Sequence, residues 1–466
     1  MADYNLIVIG AGPGGYVAAI RGAQKGLKVA IVEKGNIGGC CLNAGCVPTK
    51  SLMHSSHLYK EMRNGAKLGI SAENISIDIN KVYENKNETV KTLRNGIEQL
   101  LKANKIDIYR GFGIITGTNT VKVDGDDPRT LSADNILIAV GGKPKRLPEN
   151  LMQVGGVYTS DDILGEKPIN FKHVLIIGAG VIALELASFY SDLGCEVSIV
   201  ELFTVLPRMD REISQSIVML LKKRGIKIEV GASIDNIEKN GDIYKCTITQ
   251  KDKEFVIECD GIIAAVGRDT NISNLFSGIE PVEIQNGTIV INEHCQTSIP
   301  NIYAIGDCTK GSIQLAHAAS AQGMNVISHI VKEKELMCVD TIPSCIYTDP
   351  EIASVGLSAD EAKNKGIPVK TGKYIMSANA KSTLSHQERG FIKVVFNAEN
   401  DEIIGAQIMC ARATDIIAEL ATAVSNKLKI HDLAKVIRPH PTFVEGVSEA
   451  VEDVENIAVH LMPKRL

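Results

Sequence analysis

At 466 residues the chain exceeds the size of one ordinary hydrophobic core, so we expect roughly three or four domains. Hydrophobic residues make up 44% and charged residues 23%, as is typical of a globular protein, and a net charge of −5 gives no reason to expect binding to nucleic acid or to a membrane. No apolar run reaches the length of a membrane span, and a strand begins too close to the N-terminus to leave room for a signal peptide, which favours a cytoplasmic location.

The first predicted elements form a βαβ unit of the kind that binds a dinucleotide. A strand over 6–9 leads into a glycine-rich loop and an alanine-rich helix, and a second strand over 29–32 ends in Glu33. The glycines allow a tight turn, a close backbone approach to a pyrophosphate and packing of helix on strand, while Glu33 is placed to bind a ribose hydroxyl. The residues predicted to contact this dinucleotide are Gly10, Gly12, Pro13, Gly14, Gly15, Glu33 and Lys34.

The next segment, 38–50, contains two closely spaced cysteines that are candidates for a redox-active disulfide. Cys41 and Cys46 are five positions apart, and on a regular helix their Cα atoms would lie about 8–9 Å from each other. A disulfide requires less than about 7 Å, so a bridge is possible only if the turn is distorted, and Gly45 supplies that freedom. A distorted, accessible disulfide is readily reduced. The alternatives are buried thiols or a zinc site, but the spacing does not suit zinc and no metal is expected.

The dinucleotide pattern recurs after a strand over 174–177. Its predicted contacts are Gly178, Gly180, Val181, Ile182 and, at the end of the following strand, Glu201. The carboxylate of Glu201 suits a free 2′-hydroxyl and would repel a 2′-phosphate, so this second site is predicted to prefer NAD to NADP. Two such sites in one chain indicate that one dinucleotide passes electrons to the other.

The remaining elements divide the chain further. A strand over 302–305 ends in Gly306 and Asp307, whose carboxylate could accept a hydrogen bond from a polyol chain, and beyond Pro343 no further nucleotide loop occurs. The predicted fold class is α/β, with two Rossmann-like dinucleotide-binding domains and a C-terminal α+β domain. The predicted domains cover 1–145, 146–266, 267–338 and 339–466.

A histidine near the C-terminus is the candidate base. Dithiol oxidation needs one, because the thiolate is the nucleophile and a free thiol titrates near 8.5. His440 is followed at a short distance by Glu445, and a carboxylate on the far imidazole nitrogen fixes the tautomer and stabilises the imidazolium. A histidine before a proline is by itself more often part of a capped turn, but the cysteine segment favours the catalytic interpretation.

Together, the tandem loops and the segment Cys-Leu-Asn-x-Gly-Cys-x-Pro-x-Lys resemble the class I pyridine nucleotide–disulfide oxidoreductases over essentially the whole chain, and most closely the branch that oxidises dihydrolipoamide. The resemblance implies FAD in the first nucleotide site and NAD in the second. It also implies that Cys41 exchanges with substrate and that Cys46 is the charge-transfer thiolate beside the flavin. Lys50 corresponds to a lysine near the reactive flavin nitrogen, and Glu185 to its ion-pair partner.

The same resemblance implies a homodimer in which His440 and Glu445 serve the disulfide of the partner. The expected partner is a lipoyl-bearing carrier protein, either of a 2-oxoacid dehydrogenase complex or of the glycine cleavage system. The other residues expected to contact FAD or NAD are Gly39, Gly113, Ala139, Gly141, Ile234, Gly267, Arg268, Gly306, Asp307, Leu315, Ala316 and His317, besides Cys41, Cys46 and Lys50.

Three positions depart from the family pattern. Arg438 stands where a histidine is frequent and receives no role, Cys40 adds a third thiol that is either inert or a competing exchange partner, and Phe443 belongs to a bulkier pair that would alter a lipoyl channel. The main rivals are a family member that acts on glutathione-like disulfides or mercuric ion, and a flavin-bound scaffold without turnover. Glu201 disfavours the NADPH that a glutathione-type enzyme needs, and the retained His440 and the lack of a C-terminal cysteine pair disfavour a mercuric ion reductase. The retained thiols and base disfavour the scaffold.

Overall fold

The computed structural model describes residues 2–463. Met1, which belongs to the predicted first domain, and 464–466, which belong to the predicted last domain, lie outside the described residues. The chain divides into two compact units. One comprises the residues up to Asn170 together with Ile263–Val339, and the other Phe171–Ile262 together with the residues from Asp340 on. The finer division into four domains stays a prediction. Among the described residues no helix combines the length and the apolar character needed to cross a membrane.

The strands within the described residues are, in chain order, β1 Tyr4–Ile9, β2 Val29–Glu33, β3 Asp107–Arg110, β4 Phe112–Gly117, β5 Thr120–Asp124, β6 Arg129–Ile138, β7 Gly142–Pro144, β8 Val157–Thr159, β9 His173–Ile177, β10 Glu196–Glu201, β11 Lys227–Val230, β12 Ala232–Asn240, β13 Ile243–Gln250, β14 Lys253–Cys259, β15 Gly261–Ala264, β16 Arg268–Thr270, β17 Ile284–Gln285, β18 Thr288–Ile289, β19 Ile302–Ala304, β20 Ser344–Ile346, β21 Glu351–Gly356, β22 Val369–Ile375, β23 Phe391–Asn397 and β24 Ile403–Cys410.

The α-helices are α1 Pro13–Gln24, α2 Gly39–Ala44, α3 Cys46–Arg63, α4 Ile79–Ala103, α5 Glu149–Met152, α6 Ser160–Ile163, α7 Val181–Asp192, α8 Arg211–Lys223, α9 Ala316–Ile330, α10 Ala359–Asn364, α11 Ala380–Leu384, α12 Ala413–Ser425, α13 Ile430–Ala434 and α14 Glu445–Asp453. Short 3-10 turns cover Gly65–Leu68, Gly306–Cys308 and Met376–Ala378.

The first unit is built on a parallel sheet that continues into an antiparallel meander. β1 pairs in parallel with β2 and β6, β2 with β3, and β19 with β6, while β4, β5 and β6 pair antiparallel in that order. The parallel strands consist largely of buried valine, isoleucine and leucine, as strands covered on both faces require. The strand order β3-β2-β1-β6, with α1 between β1 and β2, is that of a doubly wound nucleotide-binding fold.

Helices α1 and α9 pack closely beside the first glycine loop. A Cβ on Gly14 would lie 2.9 Å from the Ile305 side chain and 3.0 Å from the Ala319 carbonyl oxygen, so only glycine permits this approach. The Ser320 hydroxyl donates a hydrogen bond of 3.2 Å to the carbonyl of Pro13. The late segment that follows β19 therefore meets the same end of the sheet as the first loop.

The second unit contains another βαβ sheet. β10 pairs in parallel with β9 and β11, α7 follows β9, and α8 follows β10. An antiparallel sheet of β12, β13 and β14 comes next in the chain. The second glycine loop joins β9 to α7, so it occupies the same topological position as the first loop does between β1 and α1.

The C-terminal part of the second unit is an antiparallel sheet in the order β20-β21-β24-β23-β22. Helices α12, α13 and α14 contribute buried side chains to the core on this sheet. A Cβ on Gly372 of β22 would lie 1.9 Å from the carbonyl oxygen of Ala450, so α14 packs directly on that strand. The predicted fold class, with two Rossmann-like regions and a C-terminal α+β region, is confirmed.

Candidate active site

The predicted redox cysteines lie on either side of a helix break. Helix α2 ends at Ala44, Gly45 has φ −148° and ψ −116°, and α3 begins at Cys46. A Cβ on Gly45 would lie 3.1 Å from the Cα atom of Cys41, so the glycine lets the ends of the two helices come together. The distortion expected from the cysteine spacing is confirmed. Both cysteines are thiols in this structure, and their side chains are hydrogen-bonded to each other.

The two thiols of this pair differ in their surroundings. The hydrogen bond with Cys46, and after it burial, raises the pKa of the Cys41 thiol. Cys46 is the first residue of α3, where the helix dipole favours a negative charge. Burial and the neighbouring Cys41 also raise the pKa of Tyr16 in the first turn of α1, so this phenol lies beside the pair; no sequence pattern identified it.

Asn43 and Leu42 hold the loop that precedes the redox pair. The Nδ2 atom of Asn43 donates hydrogen bonds to the carbonyls of Ile37 at 3.0 Å and Gly39 at 2.8 Å. Leu42 is buried against Gly38, on which a Cβ would lie only 2.3 Å from the leucine side chain. The residues between the two cysteines thus fix the position of α2.

The third thiol, Cys40, is tied to Arg268. The Nη2 atom of Arg268 donates hydrogen bonds to the Cys40 sulfur at 3.0 Å and to the carbonyl of Gly142 at 2.8 Å, and Nη1 lies 4.0 Å from a carboxylate oxygen of Asp161. Burial raises the pKa of Cys40, and the guanidinium works against this shift. The Cys40 thiol also donates to the carbonyl of Ala44 at 3.8 Å. The sequence predicted Arg268 only as a cofactor contact; its bond to Cys40 is new.

His440 and Glu445 form the expected pair. Nδ1 of His440 lies 2.8 Å from Oε1 of Glu445, and Oε2 of Glu445 accepts a hydrogen bond of 2.8 Å from the backbone N–H of Thr442. The carboxylate is therefore oriented by its own loop at the start of α14. The His440 side chain is 70% exposed, so its Nε2 edge is accessible from outside this unit. The role of the pair as a base stays a prediction.

Arg438, which had no predicted role, is a structural residue. Its side chain is 3% exposed, and its guanidinium donates hydrogen bonds to Glu419 on α12 and to Ser448 on α14, the latter at 2.8 Å. It also donates to the carbonyls of Leu433 and Val436. The guanidinium thus joins three helices around the loop that carries His440.

The first glycine loop has the form that a dinucleotide pyrophosphate requires. Gly10 has φ +102°, and a Cβ on Gly15 would lie 1.9 Å from the Gly10 carbonyl oxygen. A Cβ on Gly12 would meet nothing nearer than the Cα atom of Gly39 at 3.9 Å. Open space therefore lies in front of α1, between the glycine loop and the segment that contains Gly39. Among the described residues no side chain caps α1, which leaves its first N–H groups available to a phosphate. These residues fit FAD.

The second loop has the same geometry as the first, and in both loops the acidic residue accepts hydrogen bonds from two backbone N–H groups. The Glu33 carboxylate accepts hydrogen bonds from the backbone N–H groups of Ala11 at 2.6 Å and Gly35 at 2.7 Å. The Glu201 carboxylate accepts from Ala179 and Phe203, both at 2.7 Å. A Cβ on Gly180 would meet no atom within 4 Å, so the space in front of α7, which begins with Val181 and Ile182, is also open. The second loop fits NAD.

Other predicted contacts gather near the first loop. Gly306 donates its N–H to the Gln322 side chain at 2.8 Å, a partner that sequence reasoning missed. Burial raises the pKa of Asp307, and Arg268 opposes the shift. A Cβ on Gly113 would lie 2.9 Å from the side chain of Ile9, at the end of β1. The first unit also contains Pro13, Lys34, Ala139, Gly141, Gly267, Leu315, Ala316 and His317, whereas Ile234 lies on β12 in the second unit.

Lys50 and Glu185 belong to different units, and their pairing stays a prediction. Lys50 lies on α3, one turn after Cys46. Glu185 is buried on α7, where Oε1 accepts a hydrogen bond of 3.1 Å from the backbone N–H of Tyr347.

A second cysteine pair was missed by the sequence analysis. The sulfur atoms of Cys246 and Cys259 lie 3.9 Å apart in the buried interior of the second unit, on the paired strands β13 and β14. Pairing across strands places residues in contact that are well separated in sequence, and no motif marks them.

Comparison with known proteins agrees with this geometry. Residues 4–323 match the family model described as pyridine nucleotide-disulphide oxidoreductase, and residues 342–451 match the dimerisation domain of the same family. A dihydrolipoyl dehydrogenase of Geobacillus stearothermophilus is 38% identical over 469 residues, covering 99% of this chain and 98% of that protein. One of Bacillus subtilis is 36% identical over 474 residues, covering 98% of this chain and 99% of that protein.

Two solved structures share the fold. LpdA of Mycobacterium tuberculosis superposes with a TM-score of 0.89 at 24% identity, covering 96% of this chain and 99% of its own. The HOCl-induced flavoprotein disulfide reductase RclA of Escherichia coli superposes with a TM-score of 0.85 at 23% identity, with the same coverage of 96% and 99%. At these identities the likeness concerns the fold alone. From the family models and the curated relatives, the chain belongs to the pyridine nucleotide–disulphide oxidoreductase family, as an FAD-dependent oxidoreductase that uses NAD and acts on a sulfur group.

Proposed function

We propose that the protein is a dihydrolipoyl dehydrogenase, which oxidises protein-bound dihydrolipoyl groups and reduces NAD⁺ to NADH. The observation that carries this proposal is the position of Cys41 and Cys46 across the break at Gly45, in a chain whose curated relatives of that name match it from end to end. The pair of thiols supplies the disulfide exchange, and the two glycine loops supply the nucleotide sites.

In the first half of the reaction His440 removes a proton from one dihydrolipoyl thiol, and the thiolate attacks the sulfur of Cys41 in the Cys41–Cys46 disulfide. The bond between the two cysteines breaks, and Cys46 leaves as a thiolate. The second dihydrolipoyl thiol then displaces Cys41 from the mixed disulfide. The lipoyl group ends as a cyclic disulfide, and the two cysteines hold the electron pair as a thiol and a thiolate.

The thiols suit these roles. The position of Cys46 at the start of α3 favours a thiolate there, while the hydrogen bond with Cys46, and after it burial, raises the pKa of Cys41. FAD, when bound at the first loop, supplies a two-electron path from the reduced pair to NAD. Glu201 supports the choice of NAD, since a 2′-phosphate would meet its carboxylate.

The base acts through its carboxylate partner. Glu445, oriented by the Thr442 N–H, accepts from Nδ1 of His440, which places the lone pair on Nε2 and stabilises the imidazolium that forms when the proton is taken. We propose a homodimer in which the His440–Glu445 pair of one chain serves the thiols of its partner; the family's dimerisation domain over 342–451 supports this arrangement. The lipoyl group is presented by a separate carrier protein.

The test is turnover of the purified flavoprotein with dihydrolipoamide, with NAD⁺ and NADP⁺ compared and formation of the reduced nicotinamide followed. We expect rapid turnover with NAD⁺ and a much lower kcat/KM with NADP⁺. Cys46→Ser should abolish dihydrolipoamide oxidation, while Cys338→Ser, at an exposed cysteine outside the motif, should retain it.

Two results would contradict the proposal in different ways. Full dihydrolipoamide turnover by Cys46→Ser would remove the cysteines from the mechanism. No turnover by the wild-type protein, with a disulfide that NADH still reduces, would leave the family assignment in place and discard the lipoyl substrate in favour of another disulfide.

A further inference from the structure

A group of possible metal ligands lies in the first unit, within segments that the proposed reaction does not use. His294, His329 and Glu335 each offer one ligand atom, and these atoms all lie within 4.8 Å of one another. Nδ1 of His294 is 2.7 Å from Oε1 of Glu335. The imidazole rings of His294 and His329 are stacked, with centroids 4.5 Å apart and planes inclined by 18°. Across the described residues, no other group of three such side chains meets the same distance limit.

Each of the two histidines is held by its surroundings. His329 lies in the last turn of α9, and its ring packs edge-on against Tyr303 of β19 at 5.9 Å. The backbone N–H of His294 donates to the side chain of Asn292 at 3.0 Å, and the neighbouring Cys295 is buried with φ +60°. The backbone positions of the two histidines are therefore set by a helix end and by a tight turn, while each ring can still turn about its side-chain bonds.

The segment that carries Glu335 is fastened on both sides. Before it, the N–H of Glu333 donates to the carbonyl of Ser328 at 2.8 Å. After it, the buried side chain of Asn325 bonds both backbone groups of Met337, at 3.0 and 2.8 Å. Glu335 thus stays beside the histidines without a long loop having to be ordered, which lowers the conformational entropy that is lost when an ion binds.

The chemistry of the group matches a divalent ion that favours imidazole. Two neutral imidazoles and one carboxylate form a ligand set that zinc uses in proteins, with water completing the coordination. Metal–ligand distances of about 2.0–2.1 Å place the ligand atoms of a tetrahedral ion roughly 3.3 Å apart. The present ligand atoms lie within 4.8 Å of one another, and the lone pairs of the two stacked imidazoles lie in nearly parallel planes. Binding of both imidazoles to one ion therefore requires that one ring turns out of the stack, which the partial exposure of the side chains permits. The partial exposure of all three side chains gives an ion and its waters access.

We propose that His294, His329 and Glu335 form a binding site for a divalent transition-metal ion, with zinc as the representative cation. The ion replaces the proton shared by His294 and Glu335 and takes His329 as its third protein ligand. Binding would clamp the end of α9 to the turn before β19, the strand that leads to Gly306 and Asp307. This proposal is independent of the lipoyl substrate.

The experiment is equilibrium dialysis of the holoenzyme against buffered Zn²⁺, with the redox pair kept as a disulfide and the other accessible thiols capped with N-ethylmaleimide. Capping is needed because thiolates are strong zinc ligands and the chain has eleven cysteines. The variants are His294→Ala/His329→Ala, which removes both imidazoles, and Glu335→Gln, which keeps the shape of the side chain. The matched control is His57→Ala, since His57 forms a pair with Glu61 at 3.3 Å but belongs to no group of three ligands within residues 2–463.

We expect the wild-type protein and His57→Ala to bind one equivalent of zinc that the double variant lacks. Glu335→Gln should bind it about tenfold more weakly or worse. X-ray absorption spectra at the zinc K edge of the wild-type protein should show two imidazoles among the ligands. This result does not depend on whether the variants fold. A wild-type protein that binds no zinc after capping, or an equivalent that persists in the double variant, would overturn the proposal.

Discussion

Nδ1 of His440 lies 2.8 Å from Oε1 of Glu445, five residues further along the chain. The second oxygen of the same carboxylate accepts from the backbone N–H of Thr442, so each oxygen has a hydrogen-bond partner in this loop. A carboxylate held in this way keeps the imidazole in one orientation and one tautomer. The geometry that a catalytic base needs is therefore present within a single unit of the chain.

Replacing His440 by Gln should lower kcat for dihydrolipoamide oxidation by about 10²–10⁴-fold, the usual contribution of a general base. Glu445→Gln should lower kcat by a smaller factor and leave the KM for NAD⁺ unchanged, because it acts through the imidazole. The control is His460→Gln, whose ring pairs with Glu449 at 2.6 Å in the same helical region but outside the predicted site. Equal losses in the His440 and His460 variants would show that the effect is structural.

Gly45→Ala tests the helix break. The added Cβ would lie 3.0 Å from the carbonyl oxygen of Cys40 and 3.1 Å from the Cα atom of Cys41, so α2 must move away from the start of α3. Because small misplacements of reacting atoms are costly, we expect kcat to fall by about tenfold or more. Gly96→Ala on α4 is the control, since its Cβ meets no atom within 4 Å and alanine favours a helix. Dihydrolipoamide turnover with parallel thermal unfolding separates lost activity from lost folding.

Arg438→Met should destabilise the protein without touching the thiols. The guanidinium is buried, and its removal leaves Glu419 and the carbonyls of Leu433 and Val436 without their donor. Breaking such a pair costs about 3 kcal/mol of the free energy of unfolding. Arg412→Met, which removes an exposed ion pair with Asp415, should change it by less than about 0.5 kcal/mol. Chemical denaturation measures both, and equal effects would mean that burial of Arg438 contributes nothing.

The lowered pKa of the buried Lys86 should make the free energy of unfolding depend on pH. Its side chain is 2% exposed and donates to the carbonyls of Leu164, at 3.0 Å, and Gly165, and burial lowers its pKa from 10.5 to about 8. Between these two values the unfolded chain binds the proton and the folded chain does not, so stability rises with pH. Relative to Lys86→Met, the wild-type protein should gain roughly 2 kcal/mol in unfolding free energy from pH 7.5 to 9.5.

The control for that measurement is Lys81→Met, because Lys81 is an exposed lysine on the same helix. The difference between this variant and the wild-type protein should stay constant over the same pH range. A constant difference for Lys86→Met as well would contradict the lowered pKa.

Local sequence patterns predicted the parts of the protein that depend on local chain geometry. The glycine loops were recognisable because a strand, a turn and a helix follow one another directly, and the break at Gly45 because two cysteines five apart cannot meet on a regular helix. His440 and Glu445 were found as a pair because they flank the start of one helix. In each case the residues that act together are close along the chain.

The relationships that were missed join distant parts of the chain. Arg268 reaches Cys40 across more than two hundred positions, and nothing near either residue indicates it. Arg438 was set aside because a different side chain is frequent there; only the packing of α12 and α14 shows what it bonds. The contact between Cys246 and Cys259 depends on the register of two strands. Such contacts are decided by tertiary packing, which a pattern in one segment does not contain.

Glu33 and Glu201 each brace the turn in front of their own helix, with two backbone N–H groups bound to one carboxylate. The acid that we predict to bind a ribose thus also holds the backbone of the binding loop in place. Replacing Glu201 alone to change the coenzyme preference would therefore remove two hydrogen bonds from the turn. The loss of loop structure would obscure any change in specificity. A variant designed to accept a phosphorylated ribose would have to keep a side chain at this position that still accepts hydrogen bonds from Ala179 and Phe203. The positive charge that binds the phosphate would have to be introduced at another position.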